Sequence, residues 1–522
     1  MAKIFERNKR VSLGSAAFML AGFSLVGTVL GIVRTSLINS NYFNKLSTDA
    51  YFAAFKIPDL VFFALASGAL TVAFMPALSD RLSKSGRQSA WKLASSILNT
   101  LAVGAFVLSL LIMIFAPAIS THILGFEGVQ ADLCASIMRV IAINPFLFSV
   151  STVMTTTQQA VGRFFFFAFA PLVYNISIIA GILIFRDSLG IMAPAVGVAI
   201  GAVLQLIVAS LGMLGLNFHY TWGVKRSKDY NQVMKALPAR SVDQGIDYIN
   251  NIFETRFATR LGYGAVSNYE NALLLHHAPI MLIGIAISSA AFPRFTERIA
   301  QGRPDLFRKE FLQVIRTMLW IALPVVVITF FGHNYLARLI AKRENQEIAT
   351  LLQFLVGAIL FRTLYAAISR WFYAQKDTRT PLYVSLFAIG FNVILAYLLS
   401  RPSVYGVLGL AIAQSIVAAL EVVILVSVMV YRDKSMFGPD FMRAMFKIIS
   451  TAGFSIATAL LMSVLYPFET ADRGITLIVK LSIISLATLS VHLLVSWLLQ
   501  LEEARPVTEK IKRLILRPVK IQ

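Results

Sequence analysis

From Ala16 to Gln500 the chain alternates long apolar runs with short polar interruptions. A bilayer core takes about 20 apolar residues per helix, and roughly fourteen runs reach that length. The pattern predicts an all-α polytopic membrane protein of about 14 transmembrane helices. The first run, Ala16 to Ile38, contains Arg34 and is followed by no small-residue cleavage site, so it reads as a retained span rather than a signal peptide.

The runs repeat. Ala202-Val-Leu-Gln205-Leu-Ile-Val208 parallels Ala411-Ile-Ala-Gln414-Ser-Ile-Val417, and Ala170-Pro171-Leu172 parallels Thr380-Pro381-Leu382. Phe74-Met-Pro76 with Asp80-Arg81 parallels Phe292-Pro293 with Glu297-Arg298. The glutamines lie 209 residues apart, the first proline pair 210 and the second 217. Shared order and near-constant offset predict an internal duplication. The expected organisation is an N-terminal six-helix lobe (1–222), a second lobe (232–434), an extra helix pair (440–500) and a basic cytoplasmic tail (501–522), with the lobes around a central cavity. Pro58, Pro145, Pro279 and Pro324 are expected to kink their spans.

Composition sharpens this. Of 522 residues 57% are hydrophobic and 14% charged, against about 25% charged in soluble domains. Cys134 is the single cysteine, which excludes an internal disulfide framework. The net charge of +21 falls in alternate loops. Lys3, Arg7, Lys9 and Arg10 precede the first span, Arg81, Lys84, Arg87 and Lys92 follow the second, and Lys225, Arg226 and Lys228 follow the sixth. The loop from Ser120 to Asp132 has no basic residue, whereas the one with Arg338, Lys342 and Arg343 breaks the trend. This positive-inside pattern predicts a multi-pass protein of the cytoplasmic (inner) membrane with both termini cytoplasmic. It points to membrane lipids as partners, not to nucleic acid.

No Walker loop, nucleophile elbow, HExxH or paired-cysteine zinc spacing is present. An enzyme, a metal centre and an organic cofactor are therefore not expected; transport would draw on an ion gradient, Na+ or H+, or on the membrane potential. His276 and His277 are adjacent rather than four apart, the wrong spacing for a helical metal pair. Ionisable residues within spans are candidates for function. Arg34 lies late in the first, and Asp49 and Lys56, seven apart, project on one side of the second. They form either a cavity-facing charge pair or interfacial groups that snorkel to water. On the seventh span Asp243, Asp247, Asn250 and Glu254 fall on one narrow stripe with Arg240 beside it. That stripe is either an ion-handling surface or a helix simply wetted by a cavity.

The second span, Thr48-Asp49-Ala-Tyr-Phe-Ala-Ala-Phe-Lys56-Ile-Pro58-Asp59 through Gly68-Ala-Leu to Ala73-Phe74-Met-Pro76, resembles the MurJ/MviN family of lipid II flippases, of the multidrug/oligosaccharidyl-lipid/polysaccharide exporter superfamily. Val29-Leu30-Gly31 before Arg34, Ala168-Phe-Ala-Pro171 with Asn175-Ile-Ser177, Phe372-Tyr373-Ala374, Asp377-Thr378 and Thr380-Pro381 extend the likeness over nearly the whole chain. The resemblance implies a lipid-linked peptidoglycan precursor as substrate, held at a cationic cavity by Arg34, Asp49, Lys56 and Arg240, with a groove at the extra helices for its polyprenyl tail. Cell-wall synthesis proteins are further implied partners. The sequence departs from the family where arginines are usual: Thr28, Phe62, Phe63 and Leu274 stand there, and Ser67 replaces a glutamate. Export of another lipid-linked oligosaccharide or small molecule, or a non-transporting scaffold, stay open as alternative readings.

Overall fold

The computed structural model describes residues 13–42, 45–67, 70–341 and 345–515, apart from the side chains of 13–18, 21, 66, 67, 71, 72, 238–244, 246 and 511–515. Its described residues are helical throughout, with short loops and no strand. Backbone amides and carbonyls cannot be left unpaired in hydrocarbon, which is the reason for uninterrupted helices here. Twelve helices are long and apolar enough to cross a membrane among these residues. The remaining two of the expected fourteen are also helical where described but too polar or too broken to qualify: the segments 45–67 and 70–84, and Lys228–Ala258.

Burial runs opposite to that of a soluble protein. Large apolar side chains such as Ile184 (69% exposed) and Phe446 (74%) cover the outside of the helices, a surface that only lipid would stabilise. Serines and threonines inside the spans instead return their hydroxyls to the preceding turn, as Ser96 does to Lys92 O at 2.8 Å and Thr157 to Val153 O at 2.8 Å.

The chain divides into two compact units, 1–267 and 268–522. In the first, Leu70, Phe74, Leu78, Trp91, Leu93, Tyr230 and Val233 share a core. Helix Lys228–Ala258, expected to open the second lobe, packs on the segments Lys56–Phe62 and Phe63–Ser67 of this unit. Its start is set by Ser227, whose hydroxyl accepts from the Tyr230 amide at 3.2 Å. Arg81 holds that end, reaching Asp229 at 2.5 Å and the Ser227 hydroxyl at 2.6 Å.

In the second unit Phe295, Phe307, Phe311, Trp371, Phe372 and Met429 share a core. The extra pair, Pro439–Leu465 and Ile475–Leu498, packs on Pro304–Phe331. There His492 bridges Ser455 Oγ at 2.9 Å and Trp320 O at 3.0 Å, while the Trp320 indole donates to Ser496 Oγ at 2.9 Å. Beyond it, Arg316 meets Glu503 at 2.5 Å, and the tail continues as helix Arg505–Ile515. Arg517 and Lys520 lie outside the described residues.

The duplication is visible in a defect as well as in the motifs. A π-helical turn begins at Phe63 in the first unit and at Ile280 in the second, 217 residues apart, the spacing of Pro76 and Pro293. Arg81 and Arg298, matched at the same spacing, both form ion pairs, with Asp229 and with Glu310 at 2.7 Å. Of the expected kinks, Pro58 follows a break at Phe55, Pro145 opens a new helix, and Pro279 precedes the second π turn. Pro324, in contrast, lies inside the unbroken helix Pro304–Phe331.

Candidate functional site

The two helical segments that fail the apolarity test belong to the same unit and pack together, which gathers most of the candidate residues in residues 1–267. Arg34 comes from helix Leu13–Asn41, which lies along Phe165–Leu189. Its Nη1 donates to Asn175 Oδ1 at 3.1 Å. That amide neutralises no charge, so the guanidinium keeps its capacity for an anion.

Asp49 is almost wholly buried, and its carboxylate accepts two backbone amides, Gly264 N at 2.6 Å and Ser267 N at 2.7 Å. These are orphan donors of a helix start, the position at which a carboxylate is most favourable. Gly264 has φ +95°, a conformation that favours glycine, and a Cβ there would collide with the Lys45 side chain. Asp49 thus fastens helix Lys45–Ala54 to the backbone at Gly264 and Ser267. Lys56 begins Lys56–Phe62 just past the break at Phe55, half-buried.

Where the resemblance led to arginines, the structure holds rings in contact. Phe63 stacks on Tyr248 at 4.3 Å, Phe62 meets Phe63 and Phe148 edge-on at 5.1 and 5.4 Å, and Phe148 meets Tyr174 at 5.2 Å. This aromatic ladder ties Lys228–Ala258, Lys56–Phe62 with Phe63–Ser67, Asn144–Ala160 and Phe165–Leu189 together. Leu274 is half-buried in the second unit. Thr28 returns its hydroxyl to Ser24 O at 3.0 Å. The side chain of Ser67 lies outside the described residues.

Along helix Lys228–Ala258 the polar stripe changes character. Asp247 is exposed, Asn250 and Glu254 are buried, and Asn250 Nδ2 donates to Glu254 Oε1 at 3.0 Å. The four-residue spacing that predicted a shared face is what allows this bond. The side chains of Arg240 and Asp243 lie outside the described residues. Among the described residues no three His, Cys, Asp or Glu side chains converge as a metal ion would need.

Two other arginines within the helices, Arg139 and Arg362, are engaged elsewhere. Arg139 turns to Met113 O at 3.4 Å. Arg362, in the second unit, pairs with Glu421 at 2.9 Å, and Glu421 also accepts from the Ser385 hydroxyl at 2.6 Å. Glu421 was legible beforehand as a lone carboxylate in the apolar run Leu408–Arg432, but no sequence reading above singled it out.

A duplicated bundle of apolar helices, with charged groups confined to a few interior positions, defines a polytopic membrane transporter. Its fold matches a lipid II flippase MurJ in an inward closed conformation, with TM-score 0.77 and 20% identity over 92% of this chain and 98% of that one. An inward-facing multidrug resistance MATE family transporter matches with TM-score 0.66 and 14% identity over 83% of this chain and 98% of the other. The family model of lipid II flippase MurJ matches residues 38–481, and the chain belongs to that family. Relatives include a probable lipid II flippase MurJ of Borreliella burgdorferi, 24% identical over 74% of this chain and 78% of its own length. The lipid II flippase MurJ of Burkholderia cenocepacia is 25% identical, over 72% and 76%.

Proposed function

We propose that this chain is a flippase that moves lipid II across the cytoplasmic membrane by ion- or potential-driven alternating access, with both termini on the cytoplasmic side. The observation that carries this is the family match across residues 38–481, which includes the second segment, the polar seventh helix and most of the extra helix pair. Arg34, hydrogen-bonded but not ion-paired by Asn175, offers a planar fork to the pyrophosphate. Lys56 adds a point charge, and Arg240 is a further cation for the head group. Asp49 contributes by holding the helix junction rather than by touching phosphate, since both its oxygens accept backbone amides.

The aromatic ladder at Phe62 and Phe63 gives apolar ring faces in place of guanidinium groups, so phosphate recognition falls on fewer cations. Ring faces suit the apolar sides of sugars. Coupling falls to the stripe of Asp243, Asp247, Asn250 and Glu254, through Na+ or H+. Cell-wall synthesis proteins are proposed partners because they supply and consume the same lipid-linked precursor.

Complementation tests the reading. In a cell depleted of its own lipid II flippase, this chain should restore growth, and R34A should fail at equal membrane abundance. No rescue by the wild-type chain despite correct insertion would overturn it.

A further inference from the structure

Away from the residues assigned to transport, the first unit carries a cleft of about 470 Å³ lined by Ser79, Ser83, Arg87, Trp91, Arg163 and Gly215, among others. It is assembled from three helix ends. Met75–Lys84 brings the serines, Gly86–Ala118 brings Arg87 and Trp91, and the turn before Phe165–Leu189 brings Arg163. Its lining holds two guanidinium groups and no carboxylate. The nearest acidic side chain in sequence, Asp80, is taken by Lys84 at 2.6 Å.

Arg163 is held in place without being neutralised. Its Nη1 donates to Leu214 O at 2.8 Å and its Nη2 to Gly215 O at 3.4 Å. Gly215 adopts φ +74°, which turns this stretch of backbone toward the guanidinium. Burial, and then the charge of Arg87, lower the Arg163 pKa from its ordinary value. Two like charges facing one space are unfavourable unless an anion joins them. Trp91 adds a second, independent sign. Its ring is 2% exposed in the wall of the cleft, packed edge-on against Phe218 at 5.5 Å, and its indole N–H has no acceptor among the described residues. Buried donors are normally satisfied.

We propose that this cleft binds a phosphate group, presented by an anionic lipid headgroup or as a free phosphate, between Arg87 and Arg163. The chemistry follows from the donors: two planar forks and a hydroxyl from Ser79 suit tetrahedral oxygens, and a cleft at the helix ends lies at the depth of lipid headgroups. The site is separate from the lipid II reading and stands whether or not the chain transports.

The test uses the full chain purified in detergent, stripped of lipid and then incubated with equal amounts of phosphatidic acid and phosphatidylcholine. Arg87 is the residue to change, because it is exposed and R87Q should leave the fold intact, with R87K as the charge-preserving control. Native mass spectrometry would count retained phosphatidic acid against phosphatidylcholine, while the emission lost in W91F reports the cleft wall directly. The wild type should hold about fivefold more phosphatidic acid than R87Q, with R87K close to wild type. A Trp91 response to millimolar inorganic phosphate, absent with chloride at equal ionic strength, assigns the site to free phosphate. A response to phosphatidic acid alone assigns it to the headgroup. Equal retention by wild type and R87Q, with Trp91 silent to both, overturns the proposal.

Discussion

Asp377 occupies the turn before helix Arg379–Leu399 and accepts at three points there: the Arg379 amide at 3.0 Å, the Thr380 amide at 3.0 Å and the Thr380 hydroxyl at 2.6 Å. Arg432, at the end of Leu408–Arg432, closes the arrangement at 2.8 Å. Burial alone would raise this carboxyl, but the Thr380 bonds and the Arg432 charge outweigh it and hold the pKa at about 2, below the ordinary 3.8. A depressed carboxylate contributes stability that is complete above the unfolded value and is lost as pH falls through the folded one. The gain at neutral pH is about 2 kcal/mol. D377N should therefore melt below the wild type at pH 7, and the gap between the two should close between pH 4 and about pH 2. A gap that stays constant over that range, read from thermal unfolding in detergent, would refute the assignment. Asp49 shows the other side of residue-scale reading. Its charge within the second segment was evident from sequence, but its partners are backbone amides more than 200 residues further along, and no side-chain pattern announces those.

At the scale of elements, the hairpin of Phe165–Leu189 and Met192–Leu211 depends on missing side chains. A Cβ on Gly181 would stand 2.7 Å from Gly197 Cα and 3.1 Å from Ala193 O, both backbone atoms that cannot swing aside. Small residues let transmembrane backbones approach this closely. G181V should cost about 1–3 kcal/mol by overpacking, lowering the melting temperature and the monodisperse fraction after purification. G104A, where nothing lies within 4 Å of the added carbon, should melt with the wild type or slightly above it. Equal melting of G181V and wild type would show that the hairpin can separate at no cost.

Spans such as Phe165–Leu189 were legible because lipid selects continuous apolar runs, and the repeat was legible because prolines and glutamines survive duplication in shared order at near-constant spacing. The π turns at Phe63 and Ile280 were not. They shift hydrogen bonds by one residue without a compositional signature, and only their coincidence with the repeat spacing marks them afterwards. The stripe on the seventh helix was read from helical periodicity, and the Asn250–Glu254 bond obeys it. What periodicity could not supply was depth, since Asp247 is exposed while Glu254, two turns on, is buried.

Across the whole molecule the charge is distributed unevenly between its two duplicated parts. The first unit contains both polar segments and the pair of Asn250 and buried Glu254, joined by a neutral amide donor. In the second, buried Glu421 is matched to Arg362 at 2.9 Å and so carries its own counter-charge. Glu421 already has a cationic partner and so has little reason to take up a coupling ion, whereas Glu254 lies on the polar stripe of the seventh helix, where a carboxylate can be stabilised by Na+ or neutralised by a proton. Removing the two carboxylates should therefore have different consequences. In proteoliposomes loaded with fluorescent lipid II, E254Q should cut flipping driven by a Na+ or proton gradient on the order of tenfold, equivalent to about 1.4 kcal/mol of barrier. E421Q removes the buried carboxylate that pairs with Arg362 and should lower folded yield, while protein that does fold keeps the wild-type ion dependence. Ion dependence unchanged in E254Q would end the coupling role of the seventh helix. Dependence lost in E421Q instead would move that role to the second unit.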